Sequence, residues 1–403
     1  MVSSVMSVTK PPFKIALMAV GDSSWQGGIQ YITNIINALN SIKEEGELEI
    51  HLLKWETQVF NDLQNFQRHP IILHSIEEKI PPFTLSKRIY WFIQRKFFNR
   101  INPRYENYFI EQKFDFVFPA LLSDCGGRLN SAAWIADFQY HHFPTGHNAE
   151  GTKQAKITIS GIASNAKKIV LSSYFCERDA YSLFPQTKGK SFVMPFAVYI
   201  DKLHLQEQYL EEARNKYGIQ GHYLMVSNLF AFTKNHKTLF EALGILRRQG
   251  KKVSLVCTGN IVNYADLGFA NEVLQMLTNN GIRDQVSLLG LIPRHYQVAL
   301  YRMATALVQP SINEGWSTLV EEAKALGKDL LMSDLEVHEE QYPKNPYLFK
   351  ALDAADLAQK IELVLAHNDK KHFPDLKREN SALETYQKEV LSFGNRFLEI
   401  TSK

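Results

Sequence analysis

Short, unbroken apolar runs alternate with amphipathic helical stretches along most of this 403-residue chain. The run Ile15–Val20 is followed by a glycine-containing loop and then by apolar residues at helical spacing from Ile29 to Leu39. Strands without polar alternation, separated by helices, are typical of parallel sheets that are covered on both faces. The chain is therefore predicted to be an α/β protein.

The same pattern begins again after about residue 220. Two such series predict two doubly wound domains, joined by a hinge near Phe196–Gly221. Apolar residues near helical spacing between Ser381 and Ile400 predict a closing helix. Further strands are predicted at 116–119, 133–136, 169–172, 223–226, 253–258, 286–289, 306–309 and 330–332, and helices at 237–248, 295–303 and 319–326.

Composition excludes several classes of protein. The 45 Lys and Arg residues nearly balance the 42 Asp and Glu residues, which is too even for a protein whose main partner is nucleic acid. The scattered cysteines (Cys125, Cys176 and Cys257) form no CxxC, so a disulfide framework and a structural zinc site are not expected. No apolar run approaches the ~18 to 20 residues of a membrane span, and Ile15–Val20 is too short for a signal peptide. These features predict a cytoplasmic protein.

The most informative stretch runs from Pro310 to Gly327. It follows a predicted strand, turns at Gly315 and enters a helix that Gly327 ends. Thr318 with Glu321 three residues later predicts a capping box at the start of this helix. Glu321 therefore has a structural explanation.

Glu314 and Glu322 lack such an explanation. The first lies in the loop before the helix and the second about one turn inside it. The backbone N–H groups of residues 317–319 are expected to face the cleft at the carboxyl end of the sheet, where a helix N-terminus binds anions. Amides beside two carboxylates suit a ligand that carries both phosphates and hydroxyls. The alternative is that both glutamates are solvated surface residues.

A second signal lies at the start of the second series, between Val226 and Ala242. A predicted strand ends there, a loop carries Lys234 and Asn235, and a helix begins. A lysine in this loop can supply a point charge to a phosphate held on the neighbouring helix. A lone lysine is more often an ordinary exposed residue, and that interpretation stays open from the residues alone.

Taken in order, these stretches resemble retaining glycosyltransferases of the GT-B fold, family 4. The resemblance covers residues 13–365, is strongest over 223–341, and is most similar to bacterial enzymes that build cell-surface polysaccharide. In the first half it depends on Trp134–Gln139, Pro144, Ile169–Ser173 and Asp179. In the second half it depends on Ser227–Asn228, Lys234–His236, Cys257–Gly259, Leu289–Gly290, Pro310–Ser311, Glu314–Thr318, Glu321–Gly327 and Ser333–Gln341.

The resemblance implies a GT-B architecture, in which two Rossmann-like doubly wound domains face a cleft. Residues 1–205, with the closing helix 380–403, would form the acceptor-side domain. Residues 206–379 would form the domain that binds the nucleotide sugar.

The resemblance also implies roles for single residues. Glu322 would bind the ribose, Glu314 would approach the donor sugar, and Lys234 would neutralise the diphosphate. The nucleotide base would lie near 289–292. The other substrate-binding positions implied are Gly27, Gly28, Asn228, Gly290, Leu291, Gly315, Trp316, Ser317, Thr318 and Leu319.

This sequence departs from the family at two positions. Many members carry an arginine six residues before the lysine, where this chain has Asn228. The related Asp-Phe-Gln-His pattern continues here as Tyr140-His141-His142, so we assign His141 as the catalytic histidine of the cleft.

The implied reaction moves a sugar from a nucleoside-diphosphate sugar to a hydroxyl of a glycan or lipid-linked acceptor, with retention of configuration. The nucleotide sugar is a co-substrate and no further cofactor is expected. No Asp-x-Asp follows a predicted strand, so no metal requirement is expected either. The alternatives are an epimerase or hydrolase of nucleotide sugars, and a non-catalytic nucleotide-sugar-binding subunit, for which Asn228 and Tyr140 would be warning signs.

Residues 87–100 are both basic and aromatic. Such a segment fits peripheral contact with an anionic membrane surface, at the inner face of the membrane where lipid-linked acceptors are found. The other interpretation, which we favour from sequence alone, is a helix of the first domain with its aromatic side chains in the core.

Overall fold

The computed structural model describes residues 11–20, 26–44, 46–53, 69–74, 84–98, 105–120, 127–143, 149–260, 267–369 and 371–402. Parallel strands alternate with helices through these residues. The α/β class predicted from the apolar runs is confirmed.

The first half contains two parallel sheets. Strands β3, β2, β1 and β4 are neighbours in that order, and β5, β6 and β7 form the second sheet. Val117 of β4 forms a parallel bridge with Ser131, just before β5, so the two sheets are adjacent at this point. The strands are β1 (Phe13–Met18), β2 (Leu48–Leu53), β3 (Ile71–His74), β4 (Phe116–Phe118), β5 (Ala133–Ile135), β6 (Ile169–Leu171) and β7 (Ser191–Val193).

The helices of this half connect the parallel strands. The first begins at Gln26, three residues earlier than the apolar spacing from Ile29 indicates. The helices are α1 (Gln26–Ile42), α2 (Leu85–Phe98), α3 (Glu106–Glu111), α4 (Gln139–His142), α5 (Ala149–Asn165) and α6 (Tyr174–Leu183).

The second half forms one parallel six-stranded sheet in the order β10-β9-β8-β11-β12-β13. This is the doubly wound Rossmann order, which reverses between β8 and β11 and leaves a ligand-binding crevice at the carboxyl ends of those strands. The strands are β8 (Leu224–Ser227), β9 (Leu255–Thr258), β10 (Val286–Gly290), β11 (Ala306–Gln309), β12 (Leu330–Ser333) and β13 (Leu348–Phe349).

Helices cover both faces of this sheet. Those of the second half are α7 (Gln208–Tyr217), α8 (His236–Arg248), α9 (Leu267–Asn279), α10 (Arg294–Met303), α11 (Thr318–Ala325), α12 (Glu336–Gln341), α13 (Ala354–Asn368) and α14 (Leu376–Ser402). Short 3₁₀ turns lie at Pro185–Thr187, Lys202–Leu205, Phe232–Lys234 and Arg283–Gln285.

The closing helix predicted at the end of the chain is present as α14. It contacts α11 of the second half and α1 of the first. Gly394 permits this approach, since a Cβ atom there would lie 3.0 Å from the backbone oxygen of Ala38. Phe393 and Phe397 of α14 are buried in a core shared with both halves. The division of the chain at residues 205 and 206 stays a prediction.

Helix α2 presents its apolar side chains to solvent. Leu85 is 73% exposed, Ile89 54%, Phe92 58% and Phe97 68%. The interpretation that placed the aromatic side chains of this segment in the core is wrong for Tyr90, Phe92 and Phe97, while the side chain of Phe98 lies outside the described residues. Within the described residues, none of the helices combines the length with the apolar composition that a membrane span requires.

Candidate functional site

The loop between β11 and α11 lies at the carboxyl edge of the second sheet. Strand β11 ends at Gln309, and residues 310–317 lead to the start of α11 at Thr318. Strand β11 pairs with β8, where the strand order reverses. Ligands of doubly wound sheets bind in the crevice at such a reversal. The stretch that the sequence singles out therefore lies at the ligand-binding edge of this fold.

Glu314 and Lys234 form an ion pair in this crevice. Lys234 Nζ lies 2.6 Å from Glu314 Oε1. The same oxygen accepts hydrogen bonds from Gln309 Nε2 at 2.8 Å and Ser311 Oγ at 2.7 Å. The Glu314 side chain is 8% exposed and that of Lys234 is 25% exposed. Three donors thus fix the carboxylate, while the ammonium group keeps access to solvent.

The loop of Lys234 is joined to the loop of Glu314 by Asn235. Asn235 has a left-handed backbone with φ of 53°, a conformation that asparagine tolerates better than most residues. Its side-chain amide donates to the carbonyl oxygens of Pro310 at 3.0 Å and Ala351 at 2.8 Å. The adjacent lysine is therefore held in place by a residue with a structural role.

The amino end of α11 offers two backbone donors. The N–H groups of Thr318 and Leu319 contact no acceptor in the described part of the chain. The N–H group of Ser317 was expected to join them, but it donates to Gln341 Oε1 at 3.0 Å. Unpaired amides at a helix N-terminus carry the positive end of the helix dipole and bind anions.

The capping box predicted from Thr318 and Glu321 is wrong. The residue at the N-cap is Ser317, and its side chain makes no capping hydrogen bond. The Glu321 carboxylate instead accepts hydrogen bonds from Gln341 Nε2 at 2.8 Å and from the Tyr386 hydroxyl. Glu321 therefore connects α11 to α12 and α14.

The second carboxylate, Glu322, is paired with Arg294. The Glu322 side chain is 3% exposed, and its Oε1 atom lies 2.5 Å from Arg294 Nη2. Burial opposes the charged guanidinium, but Glu322 holds the pKa of Arg294 above its ordinary value. The sequence analysis missed Arg294, because a lone arginine after a proline gives no signal of a distant acidic partner.

Polar side chains link the two carboxylates beneath the crevice. Gln297 accepts from Arg294 Nη1 at 2.7 Å and donates to Ser227 Oγ at 2.7 Å. Asn228, the next residue, donates to Gln309 Oε1 at 3.1 Å, and Gln309 in turn donates to Glu314. Asn228 therefore belongs to the hydrogen-bond network that holds Glu314.

Four further predicted positions lie at the strand and helix ends. Gly290 is the last residue of β10 and has a positive φ of 66°, which favours glycine. Leu291 follows it and is 52% exposed. Gly27 is exposed and Gly28 is buried, both in the first turn of α1. The preceding loop, 21–25, lies outside the described residues.

Gly315 and Trp316 contact the first half of the chain. A Cβ atom on Gly315 would lie 1.8 Å from the backbone oxygen of Ala136. The Trp316 indole N–H donates to the carbonyl oxygen of Phe196 at 3.0 Å. The side chain of Trp316 therefore serves the interface between the halves, while its backbone lies beside the crevice.

His141 lies in the short helix α4. Its exposed imidazole contacts the ring of His142 with centroids 5.7 Å apart. His142 Nε2 lies 2.7 Å from Asp179 Oδ2, so the second histidine is the anchored one. Phe143, directly after α4, contacts Phe232 of the Lys234 turn at 5.9 Å between centroids. The role of His141 as the cleft histidine stays a prediction.

Asp137 is an acidic residue that the sequence analysis quoted without a role. It follows β5, and its Oδ1 atom accepts the Gln139 N–H at 3.1 Å. Burial raises the pKa of Asp137, the Gln139 hydrogen bond and the Lys234 ammonium lower it, and the charge of Glu314 raises it further. Asp137 therefore lies in the field of the Lys234–Glu314 pair. The sequence feature that could have identified Asp137 as a site residue is its place just after a buried strand.

Comparison with known proteins identifies the architecture. Residues 210–379 match the family model of glycosyl transferases, group 1. No curated protein matches this chain. The Anabaena protein HepE, crystallised with UDP and glucose, is 13% identical with a TM-score of 0.63, over 97% of this chain and 99% of its own. The fold is GT-B.

Two other solved structures agree with this architecture. A glycosyltransferase from Rickettsia africae is 15% identical with a TM-score of 0.64, over 97% of this chain and 98% of its own. Sucrose-phosphate synthase from Thermosynechococcus elongatus is 15% identical with a TM-score of 0.61, over 96% of each chain. These similarities confirm the predicted pair of Rossmann-like domains.

Proposed function

We propose that this protein is a glycosyltransferase that moves a sugar from a nucleoside-diphosphate sugar to an acceptor hydroxyl. The observation that supports this most directly is the Lys234–Glu314 pair beside the amides of Thr318 and Leu319, which meet no acceptor among the described residues. This is a site for an anion attached to a hydroxylated group. The match of residues 210–379 to group 1 glycosyl transferases, and the UDP and glucose bound by HepE, support the same class of ligand.

The donor's diphosphate would lie against the amino end of α11. The amides of Thr318 and Leu319 would donate to its oxygens, and Lys234 would add a formal positive charge. An ammonium group has three donors, so Lys234 can keep its contact with Glu314 while it binds a phosphate oxygen. Glu314 would then accept from the donor sugar's hydroxyls, and the ribose would lie beside Glu322.

Transfer breaks the bond between the anomeric carbon and the diphosphate oxygen. The electron pair leaves with the nucleoside diphosphate, and the anomeric carbon becomes cation-like. Positioned donors that meet the growing negative charge stabilise the transition state more than the ground state. The acceptor oxygen bonds to the anomeric carbon on the face that the diphosphate leaves, its proton passes to the departing phosphate, and configuration is retained.

We propose that transfer needs no metal ion. Lys234 and the α11 amides supply the positive charge that a cation would otherwise bring to the diphosphate. Activity should therefore persist in EDTA. Loss of activity in EDTA, with recovery on addition of Mg²⁺ or Mn²⁺, would contradict this part of the proposal.

We further propose that the acceptor is a glycan or lipid-linked sugar for surface polysaccharide, at the cytoplasmic face of a membrane. The support is helix α2, whose exposed residues Ile89, Phe92 and Phe97 recur at helical spacing. Lys96 Nζ lies 5.7 Å from the centroids of both phenylalanine rings. Apolar side chains interleaved with cations suit a surface of anionic lipid headgroups over acyl chains.

A thermal-shift screen of UDP-, GDP-, ADP- and dTDP-sugars tests the function, because a ligand that binds only the folded state raises the melting temperature. Products formed from the stabilising donor are then analysed with and without glycan acceptors. Transfer with an unchanged anomeric configuration supports the proposal. An altered or hydrolysed sugar without acceptor would favour an epimerase or hydrolase, and binding without turnover would favour a non-catalytic subunit.

A further inference from the structure

Arg294 has no part in the reaction as described, yet it pairs with a buried carboxylate in the crevice. Its Nη2 atom lies 2.5 Å from Glu322 Oε1. The carboxylate is almost fully buried, whereas the Arg294 side chain is 25% exposed. Arg294 Nη2 is itself buried against this carboxylate.

The position of the guanidinium is fixed from its other side. Arg294 Nη1 donates to Gln297 Oε1, and Gln297 Nε2 donates to Ser227 Oγ, both at 2.7 Å. Ser227 also accepts from Thr258 Oγ1 at 2.7 Å. Ser227 and Thr258 are the last residues of β8 and β9, so the orientation of Arg294 depends on the ends of two strands.

A buried carboxylate without a cation would favour its neutral form, since burial penalises the charge. A protonated carboxyl group uses one oxygen as a donor, whereas an ionised one accepts through about four lone-pair positions. Glu322 is contacted by Arg294 at Oε1 and by the buried Tyr301 hydroxyl, and an ionised carboxylate keeps further acceptor positions beyond these two. A charged acceptor forms stronger hydrogen bonds to hydroxyls than a neutral one does.

We propose that Arg294 is a positioning residue that makes the site select a ribonucleotide: it holds the Glu322 carboxylate oriented to accept hydrogen bonds from the two ribose hydroxyls. The inference rests on the proposed function, because it needs a nucleoside diphosphate in this crevice. Arg294 acts by orienting Glu322 toward the ribose hydroxyls. Discrimination against deoxyribose therefore depends on Arg294.

The test is calorimetric binding of UDP and 2′-deoxy-UDP, and of GDP and 2′-deoxy-GDP, to the full-length protein. For the base that it recognises, wild type should bind the ribonucleotide about tenfold or more tightly than the 2′-deoxyribonucleotide, as expected for a hydrogen bond to a charged group. The ratio of the two dissociation constants is the quantity compared below. Arg294→Met should reduce that ratio to below about threefold. Arg283→Met, an exposed arginine before β10, is the matched control and should keep the wild-type ratio.

A double-mutant cycle with Glu322→Gln separates positioning from general stability. In the Glu322→Gln background, Arg294→Met should not change the ratio further, because Arg294 acts through Glu322. The double variant leaves no lone charge buried, so it keeps the test decisive if Arg294→Met alone is unstable. A wild-type ratio near one, or an unchanged ratio in folded Arg294→Met, would overturn the inference. Failure of wild type to bind either nucleotide pair would instead overturn the proposed function.

Discussion

A methyl group on Gly315 would lie 1.8 Å from the backbone oxygen of Ala136, so these residues meet with no space for a side chain. Gly315 follows Glu314 in the second half of the chain, and Ala136 precedes Asp137 in the first. The contact therefore sets how closely the two halves approach beside the Lys234–Glu314 pair.

We expect Gly315→Ala to reduce turnover at least tenfold, because the Cβ atom would force the two halves apart or displace the Glu314 loop. Overpacking of this kind costs about 1–3 kcal/mol of stability. Steady-state transfer rates and thermal unfolding measure the two effects. Gly127→Ala is the control, since among the described residues its Cβ would meet only Lys167 Cε at 3.9 Å. Wild-type turnover in Gly315→Ala would show that the contact is dispensable.

Lys234→Ala tests the cation in the crevice. Loss of one positioned transition-state donor typically lowers turnover by about 10² to 10³, so a reduction of a hundredfold or more is expected. Glu314 keeps its hydrogen bonds from Gln309 and Ser311, so the loop should hold its place. Lys251→Ala, which removes an exposed lysine paired with Glu362, should retain wild-type turnover. A change below about threefold in Lys234→Ala would remove the residue from the mechanism.

The sequence indicated the Lys234–Glu314 region because each residue follows an unbroken apolar strand that is buried and parallel. Such strands end at one edge of a sheet, so their loops meet there whatever their separation along the chain. Strand β2 was not predicted because Glu49 and His51 interrupt its apolar run. In the fold, Glu49 Oε1 lies 3.3 Å from Lys14 Nζ and 2.8 Å from His51 Nε2, and His51 Nδ1 lies 2.7 Å from His74 Nε2, so both side chains have polar neighbours within the sheet.

Other features depend on contacts that no local pattern encodes. The pairing of Arg294 with Glu322 joins the start of α10 to a residue one turn inside α11, and only the fold brings them together. The environment of α2 was misjudged for a related reason: an amphipathic pattern states which residues share a face but not what covers it. The N-cap fell at Ser317 instead of Thr318, a shift of one residue that removed the predicted capping box.

His236 makes folding stability sensitive to acid. Its ring stacks on Phe230 with centroids 4.0 Å apart, and within the described residues neither ring nitrogen has a hydrogen-bond partner. Burial, with a smaller contribution from Lys234, lowers the pKa of His236 to about 3. The unfolded chain therefore binds a proton below about pH 6.5 that the folded chain does not, and stability falls as the pH decreases.

We expect the free energy of unfolding to fall by about 1 to 2 kcal/mol between pH 6.5 and 5 from this residue alone. His236→Phe keeps the stacked ring and removes both buried nitrogens, so its stability should depend less on pH by that amount. Urea denaturation of both proteins at the two pH values measures the difference, and carboxylates common to both cancel. Equal pH dependence in wild type and variant would contradict the burial of a neutral imidazole.

Helix α2 makes a separate prediction about membranes. Wild type should co-sediment with vesicles that contain phosphatidylglycerol and less with pure phosphatidylcholine, and high salt should weaken binding because Lys87, Arg88 and Lys96 are exposed. Phe92→Glu combined with Phe97→Glu should lower the partition coefficient at least tenfold, since two apolar anchors are lost and two negative charges gained. Leu363→Glu, a change at another exposed apolar residue, should bind as wild type does. If co-sedimentation were the same with both lipids and unchanged by the double substitution, α2 would not be a site that binds an anionic bilayer.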